Sequence, residues 1–319
     1  MVTPRGAAPG GSQAGPWLYG DILIERVLDF DGPGLDPFVL LPDLTPEILE
    51  RHRHWLEPGL LDRATGRLMS SFHSFIVRTP RSITVVDTCG GNDKHRPNRP
   101  RYHMSRNPYL ERLAAIGVQP EDVDFVLCTH MHGDHVGWNT RRVEGKWVPT
   151  FPKAKYLVSR VEWNYWVDAA NRRAYNEDLY FEDSILPVLE SGQIVLIDDG
   201  HEVDAGVRVE ATPGHTPGHL CVRISRGAQE AVMSGDLMHN ALQIAEPSLN
   251  SCFCVDGEQS RRMRKAFLER CFESGSLVMP AHFPAPTAGR VVRGAAGYFG
   301  FAFESSFDAS RPNDNRRVK

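Results

Sequence analysis

The sequence predicts a layered α/β sandwich. Short β-branched segments recur along most of its length, amphipathic helical stretches lie between them, and the strand candidates come in pairs as well as alternating with helices. A purely parallel, doubly wound sheet would not mix the two. In chain order, strands are expected at DILIERVL (21–28), SFHSFIVR (71–78), SITVVDT (82–88), VDFVLCT (123–129), AKYLVS (154–159), QIVLID (193–198), VRVEAT (207–212), LCVRIS (220–225), EAVMSG (230–235) and SLVMPA (276–281), each bounded by Gly, Pro or Asp. Helices are expected over 46–52, 109–116, 178–190 and 258–273. The first has Thr45 as N-cap and Pro46 at its first position; the last starts at Asp256 with acidic Glu258 in its first turn and carries Met263, Phe267 and Leu268 at helical spacing.

Residues 1–18 are rich in Gly, Pro and Ala and read as a flexible N-terminal arm, which leaves 19–319 as a single domain. Two long segments, 28–67 and 139–190, exceed ordinary connections and read as inserts. The second holds Trp147, Trp163, Tyr165, Trp166, Tyr175, Tyr180 and Phe181, which are expected either to pack a helical insert or homodimer contact or, for Trp163 and Trp166, to face the substrate.

At 41% hydrophobic, the chain has ample material for a core. A net charge of −4, from 36 basic and 40 acidic residues, gives no footprint for nucleic acid. No run approaches the length of a membrane span and the N-terminus lacks the apolar centre of a secretory signal, so no membrane association and a cytoplasmic location are expected. The cysteines (Cys89, Cys128, Cys221, Cys252, Cys254, Cys271) form neither a disulfide framework nor a CxxC pair, and the CxC at Cys252 and Cys254 is expected to be ordinary packed thiols.

Chemistry concentrates in THMHGDH (129–135), which follows a strand and carries no helix start signal. With 13 histidines in the chain, chance alone gives H-x-H-x-D-H with a probability on the order of 10⁻³. His130 and His132 alternate onto one side and suit one ion; Asp134 and His135 are placed for a second. Three singletons have the same character, each ending a strand: His215 in TPGHTPGH, Asp236 in SGDLMH and His282 in MPAHFP. Asp87 ends another strand and reads as a brace, His219 as structural. His52, His54, His73, His95, His103 and His201 lack a converging partner, and CGGND lacks the lysine of a phosphate-binding loop.

H-x-H-x-D-H, then a His after Pro-Gly, an Asp after Ser-Gly and a final His resembles the ligand order of the metallo-β-lactamase-fold hydrolases, over about residues 71–282. ATPGHTPGH, GDLMHNALQ and PAHFPAP are most similar to the branch holding methyl parathion hydrolase and the acyl homoserine lactone lactonases. The resemblance implies a four-layer αβ/βα metallo-β-lactamase sandwich with metals at one edge. It also implies that His130, His132 and His215 hold a first divalent ion, that Asp134, His135 and His282 hold a second, and that Asp236 bridges them. Imidazole and carboxylate ligands suit zinc, with Fe, Mn or Co as alternatives.

Two such cations lower the pKa of a shared water and supply a hydroxide nucleophile, so no Ser or Cys nucleophile is required. Asp134 is a candidate for orienting that nucleophile or taking part in proton transfer. His239 stands where lactonases commonly place a tyrosine, and is a candidate both for binding the substrate carbonyl and for protonating a leaving group. The expected function is a dinuclear metal hydrolase of a small ester or lactone, with phosphotriester cleavage as a side activity. The lack of a basic patch and the aromatic inserts imply a hydrophobic, compact substrate. A glyoxalase II-like thioester hydrolase and a non-catalytic metal-binding sensor are the alternatives.

Overall fold

The computed structural model describes residues 15–175, 178–227, 229–294, 297–305 and 307–308. Among the described residues seventeen strands form two large sheets and a hairpin. The first sheet contains β1 (Trp17–Tyr19), β2 (Ile22–Pro33), β3 (Met69–Arg78), β4 (Ile83–Val86) and β5 (Phe125–Leu127). The hairpin is β6 (Thr140–Val143) with β7 (Lys146–Pro149), after which β8 (Lys155–Ser159) and β9 (Ile194–Ile197) return to the first sheet. The second sheet holds β10 (Glu202–Asp204), β11 (Val207–Ala211), β12 (Leu220–Arg226), β13 (Gln229–Gly235), β14 (Leu277–Pro280), β15 (Gly289–Arg293) and β16 (Phe299–Phe303). The last strand, β17 (Phe307–Asp308), pairs parallel with β1, so the first sheet runs β17-β1-β2-β3-β4-β5-β8-β9 and the second β10 to β16 in order.

The first sheet is antiparallel from β1 to β4 and parallel from β4 through β5 and β8 to β9. The second is antiparallel except for the parallel β13–β14 pair. The two faces of each strand explain the layering. Ile24, Phe75, Val86, Leu127 and Leu157 of one sheet pack against Val209, Val222, Met233, Leu277 and Met279 of the other. The opposite face of the first sheet presents Ile76, Val85, Val126 and Tyr156 to Leu113, Ile185 and Val188 of its helices. That of the second presents Cys221, Val232 and Val278 to Leu49, Leu56, Phe267 and Leu268. The result is the expected helix–sheet–sheet–helix order. Each fully buried Leu or Phe in these seams contributes roughly 1.5–3 kcal/mol of transfer free energy.

The predicted caps are present. Thr45 Oγ1 accepts from Ile48 N at 3.3 Å at the start of the helix Pro46–Leu56, with Pro46 in its first turn. Asp256 Oδ1 accepts from Gln259 N at 2.9 Å to open Gly257–Ser274, which ends on Gly275 at φ 65°. The helix expected over 178–190 forms as one run interrupted by a π-helical turn, Phe181–Ile185.

Two expectations need correction. The arm does not extend to residue 18: Trp17 is fully buried and pairs with Ile24, because a three-residue strand after Pro16 joins the first sheet between β2 and β17; residues 1–14 lie outside the described residues. Neither insert is separate from the framework, since 28–67 begins inside β2 and 139–190 contains β8. The aromatics of 139–190 turn inward, Trp166, Tyr180 and Phe181 being buried and Trp163, Tyr165 and Tyr175 packed against the same core. Among the described residues no helix is long and apolar enough to cross a membrane.

Candidate metal centre

The C-terminal ends of β4, β5, β11, β13 and β14 open on one edge, where they deliver Asp87, the 129–135 loop, His215, Asp236 and His282. Their ligand atoms fall into two separate groups of three, and two further sets, His130–His135–Asp236 and His215–Asp236–His239, overlap them. In the first, His130 Nε2 and His132 Nδ1 are 3.1 Å apart and His215 Nε2 lies 3.2 and 3.0 Å from them. In the second, His135 Nε2 is 3.3 Å from His282 Nε2, and Asp134 oxygens stand 3.9 and 3.7 Å from these two. Each group converges within 4.8 Å. Asp236 sits between them, its Oδ2 lying 3.4 Å from His135 Nε2, 3.4 Å from His215 Nε2 and 3.8 Å from His130 Nε2, with Oδ1 3.2 Å from His282 Nε2.

The outer contacts fix which nitrogen faces inward. His135 Nδ1 donates to Asp87 Oδ2 at 2.9 Å and His282 Nδ1 to the Ser71 carbonyl at 3.1 Å, which leaves both Nε2 lone pairs directed at the centre. Asp87 is held in turn by Thr129 N and Oγ1, each at 2.8 Å, and its φ of 56° turns the chain at the end of β4. His219 Nε2 accepts from Asp236 N at 3.0 Å while its other ring nitrogen contacts Thr212 Oγ1 at 2.8 Å. Gly235 is required here: at φ 49°, a Cβ would stand 2.5 Å from His219 Nε2.

Electrostatics match a cation-binding role. Burial, reinforced by neighbouring imidazoles, holds His130 and His215 well below the usual histidine range. Burial likewise takes His132 down to about 3, so all three are neutral at neutral pH and free to offer a lone pair. Burial also opposes charge on His135 and His282, yet Asp236 and the other carboxylates outweigh it and raise both. For Asp236 burial is outweighed by His282, His135 and His239, which keep it ionised. The unprotonated ring nitrogens of His130, His132 and His215, 3.0–3.2 Å apart, repel unless a positive charge lies among them, and the buried, ionised Asp236 calls for the same charge. The donor set therefore fits divalent cations, with nitrogen donors in the first group and mixed nitrogen and oxygen donors in the second.

A cavity of about 230 Å³ lies over this edge. Its floor is His132, Asp134, Asp236, His239 and His282, and its walls come from 33–35, Leu40, Arg67, Ser70 and Phe72 on one side and 98–102 with Phe253 on the other. His239 is buried on this floor with Nε2 3.1 Å from Asp236 Oδ2. Trp163 and Trp166 do not line the cavity, in contrast to the expectation. Trp166 is fully buried behind His132, whose ring it meets at 5.5 Å, and donates Nε1 to Glu162 at 2.6 Å; Trp163 packs on the core behind it. Cys252 is exposed instead of packed, and Cys254 Sγ is 3.7 Å from His215 Nδ1.

A profile of the metallo-beta-lactamase superfamily matches residues 73–293. The chain belongs to the metallo-beta-lactamase superfamily. An N-acyl homoserine lactonase from a Bacillus species is 33% identical over 112 residues, 35% of this chain and 37% of the lactonase, so the match spans little more than a third of that relative. Metallo-beta-lactamase domain-containing protein 1 of Xenopus laevis is 31% identical over 210 residues, 66% of this chain and 69% of its own length. Among solved structures, the hydrolase AbOPH aligns with a TM-score of 0.76 at 23% identity over 92% of this chain and 98% of its own. AidC, a dizinc quorum-quenching lactonase solved with a product, aligns at 0.74 and 19% over 93% and 99%. At these identities the structural likeness is one of superfamily fold.

One buried residue beside the candidate site escaped sequence reasoning. Glu162 accepts from Met131 N at 2.8 Å and Gly218 N at 2.9 Å, and so ties the His130–His132 loop to the His215–His219 loop. A Cβ at Gly218 would sit 2.1 Å from Glu162 N, which is why glycine stands there. Only the acidic residue in the first turn after Ser159 hinted at it, and that signal is also that of an ordinary helix start.

Proposed function

We propose that this chain is a dinuclear metal-dependent hydrolase of small esters or lactones, with zinc as the first metal to test. The observation that carries this reading is the position of Asp236 between two groups of three ligand atoms, at the base of a cavity of small-molecule size. His130, His132 and His215 would hold one ion, Asp134, His135 and His282 the other, and Asp236 both. When bound, the pair supplies a hydroxide at neutral pH and polarises the substrate carbonyl. The protein's own part is orientation. Asp87, Ser71 and His219 hold ligands in register, Phe72 and Phe253 narrow the cavity against bulk water, and His239 offers a ring nitrogen beside Asp236 to hydrogen-bond a substrate oxygen or return a proton to the leaving group.

Elemental analysis should find about two divalent ions per chain. Turnover should appear in a panel of lactones, aryl esters, thioesters and phosphotriesters, and be lost in His130→Ala and Asp236→Ala with the fold retained. An inert metal-loaded protein, or full activity in either variant, overturns the reading.

A further inference from the structure

Arginines far apart from the metal motif, Arg67, Arg99 and Arg101, meet on the walls of the cavity above the candidate ligands. The Arg101 guanidinium carbon lies 5.0 Å from the Phe72 ring centroid and 5.2 Å from that of Phe30, and these two rings stack at 4.5 Å. Phe72 in turn meets the His282 ring at 5.0 Å. One phenyl ring therefore spaces the guanidinium from a candidate metal ligand. Arg99 stands over Phe253, 5.3 Å from its centroid.

The arginines of this chain are held in different ways: Arg96 pairs with Asp183, Arg78 with Glu25, and Arg223 with Glu210 and Glu230, whereas the buried Arg264 donates to the carbonyls of Leu237, Pro247 and Leu249. Arg67 and Arg101 are held more lightly than either kind. Arg67 donates to the Gly34 carbonyl at 3.0 Å and Arg101 to the Gly32 carbonyl at 3.4 Å, and among the described residues no carboxylate lies within ion-pair distance of either. The carboxylates that share the cavity, Asp134 and Asp236, belong to the candidate ligand set, so cations bound there would leave the guanidiniums of Arg67 and Arg101 as uncompensated positive charge. A guanidinium stacked on aromatic rings keeps its in-plane N–H donors for a planar anion.

We propose that Arg101, with Arg67 beside it, is the anion-recognising element of the site, and that the substrate is an ester or lactone that also carries a carboxylate. The proposal rests on the hydrolase reading and refines it: the substrate lies across Phe72 with its carboxylate on Arg101 and its scissile carbonyl over Asp236. It replaces the uncharged, hydrophobic substrate expected from sequence, because the cationic groups are dispersed along the chain and gather only on folding.

The test compares mono-4-nitrophenyl adipate with its methyl ester on the metal-loaded enzyme. Each consumes one water, breaks the aryl ester C–O bond and releases 4-nitrophenol with the adipate product, so the two differ only in the distal charge. The wild type should favour the acid by about tenfold or more in kcat/KM, through KM, and salt should shrink the preference. Arg101→Met, which keeps the stem over Phe72, should bring the ratio close to one, and Arg101→Lys should restore part of it. Equal rates for the two esters in the wild type, or a ratio unmoved in Arg101→Met, overturn the inference and leave the hydrolase reading standing. If neither ester is cleaved, the hydrolase reading fails for aryl esters, and calorimetric binding of adipate decides: binding that weakens about tenfold in Arg101→Met upholds the anion site, and no binding to the wild type overturns it. Melting curves of both variants establish that they are folded.

Discussion

Glu162→Gln changes one oxygen to nitrogen at the point where both ligand loops are tied. In the wild type Oε1 accepts from Met131 N at 2.8 Å and Trp166 Nε1 at 2.6 Å, and Oε2 accepts from Gly218 N at 2.9 Å. Glutamine has a single acceptor oxygen. Its best orientation keeps the first two bonds and points the amide NH2 at the Gly218 N–H, donor against donor, in a fully buried site. One unsatisfied buried donor costs ~1–3 kcal/mol, and the remaining bonds lose their charge assistance. Burial raises the Glu162 pKa, so removing the charge recovers part of that loss and puts the expected net destabilisation at about 1–3 kcal/mol. At roughly 2–4 °C per kcal/mol for large domains, the melting temperature should fall by several degrees. Because Gly218 follows His215 closely and Met131 lies between His130 and His132, metal affinity should fall with it, by roughly tenfold to a hundredfold. Differential scanning fluorimetry of the metal-free protein and chelator competition on the loaded protein read the two effects separately. A variant with wild-type melting temperature and chelator midpoint would refute the argument that this carboxylate holds the loops.

Three further outcomes follow from named contacts. Asp87→Asn removes the acceptor that holds His135 Nδ1–H, allows the proton to move to Nε2, and should weaken binding of the second ion by about tenfold to a hundredfold in chelator competition while the first group stays loaded. His239→Phe should lower kcat more than it raises KM if the ring serves the chemistry; the opposite split in steady-state kinetics would assign it to packing. Lys94 is completely buried, and burial outweighs the attraction of Asp183 to take its pKa from 10.5 down to about 7. Between these two values the unfolded chain binds a proton that the folded chain has released, so this residue adds stability as pH rises from about 7 towards 10. The melting temperature of the wild type relative to Lys94→Met should therefore climb over that range, and a flat difference would contradict the burial argument.

The parts of the fold legible in the sequence are those decided locally. AKYLVS and LCVRIS are strands because β-branched runs of that length bury well wherever they pair, and Thr45 and Asp256 cap helices through bonds reaching only three residues. The 129–135 loop was legible because several candidate ligands fall in a single turn. What was not legible depends on distant partners. Trp17 joins the sheet through Ile24 and Phe307, in a segment whose Gly and Pro content reads as disorder. Trp166 gave no sign of facing inward, because the imidazole it packs on, His132, lies on a loop more than thirty positions earlier in the chain, although the carboxylate that receives its N–H is one turn away on its own helix. The arginine wall was hidden for the same reason, since net charge reports totals and says nothing of where guanidiniums gather.

Each candidate ion is claimed by both halves of the chain. His130 and His132 hang from the first sheet and His215 from the second; Asp134 and His135 from the first, His282 from the second. Cations there would act as rivets across the seam between the halves, adding to whatever cohesion the interlayer side chains provide. Supply of the ion would then govern how long the protein survives in the cell as well as how fast it works.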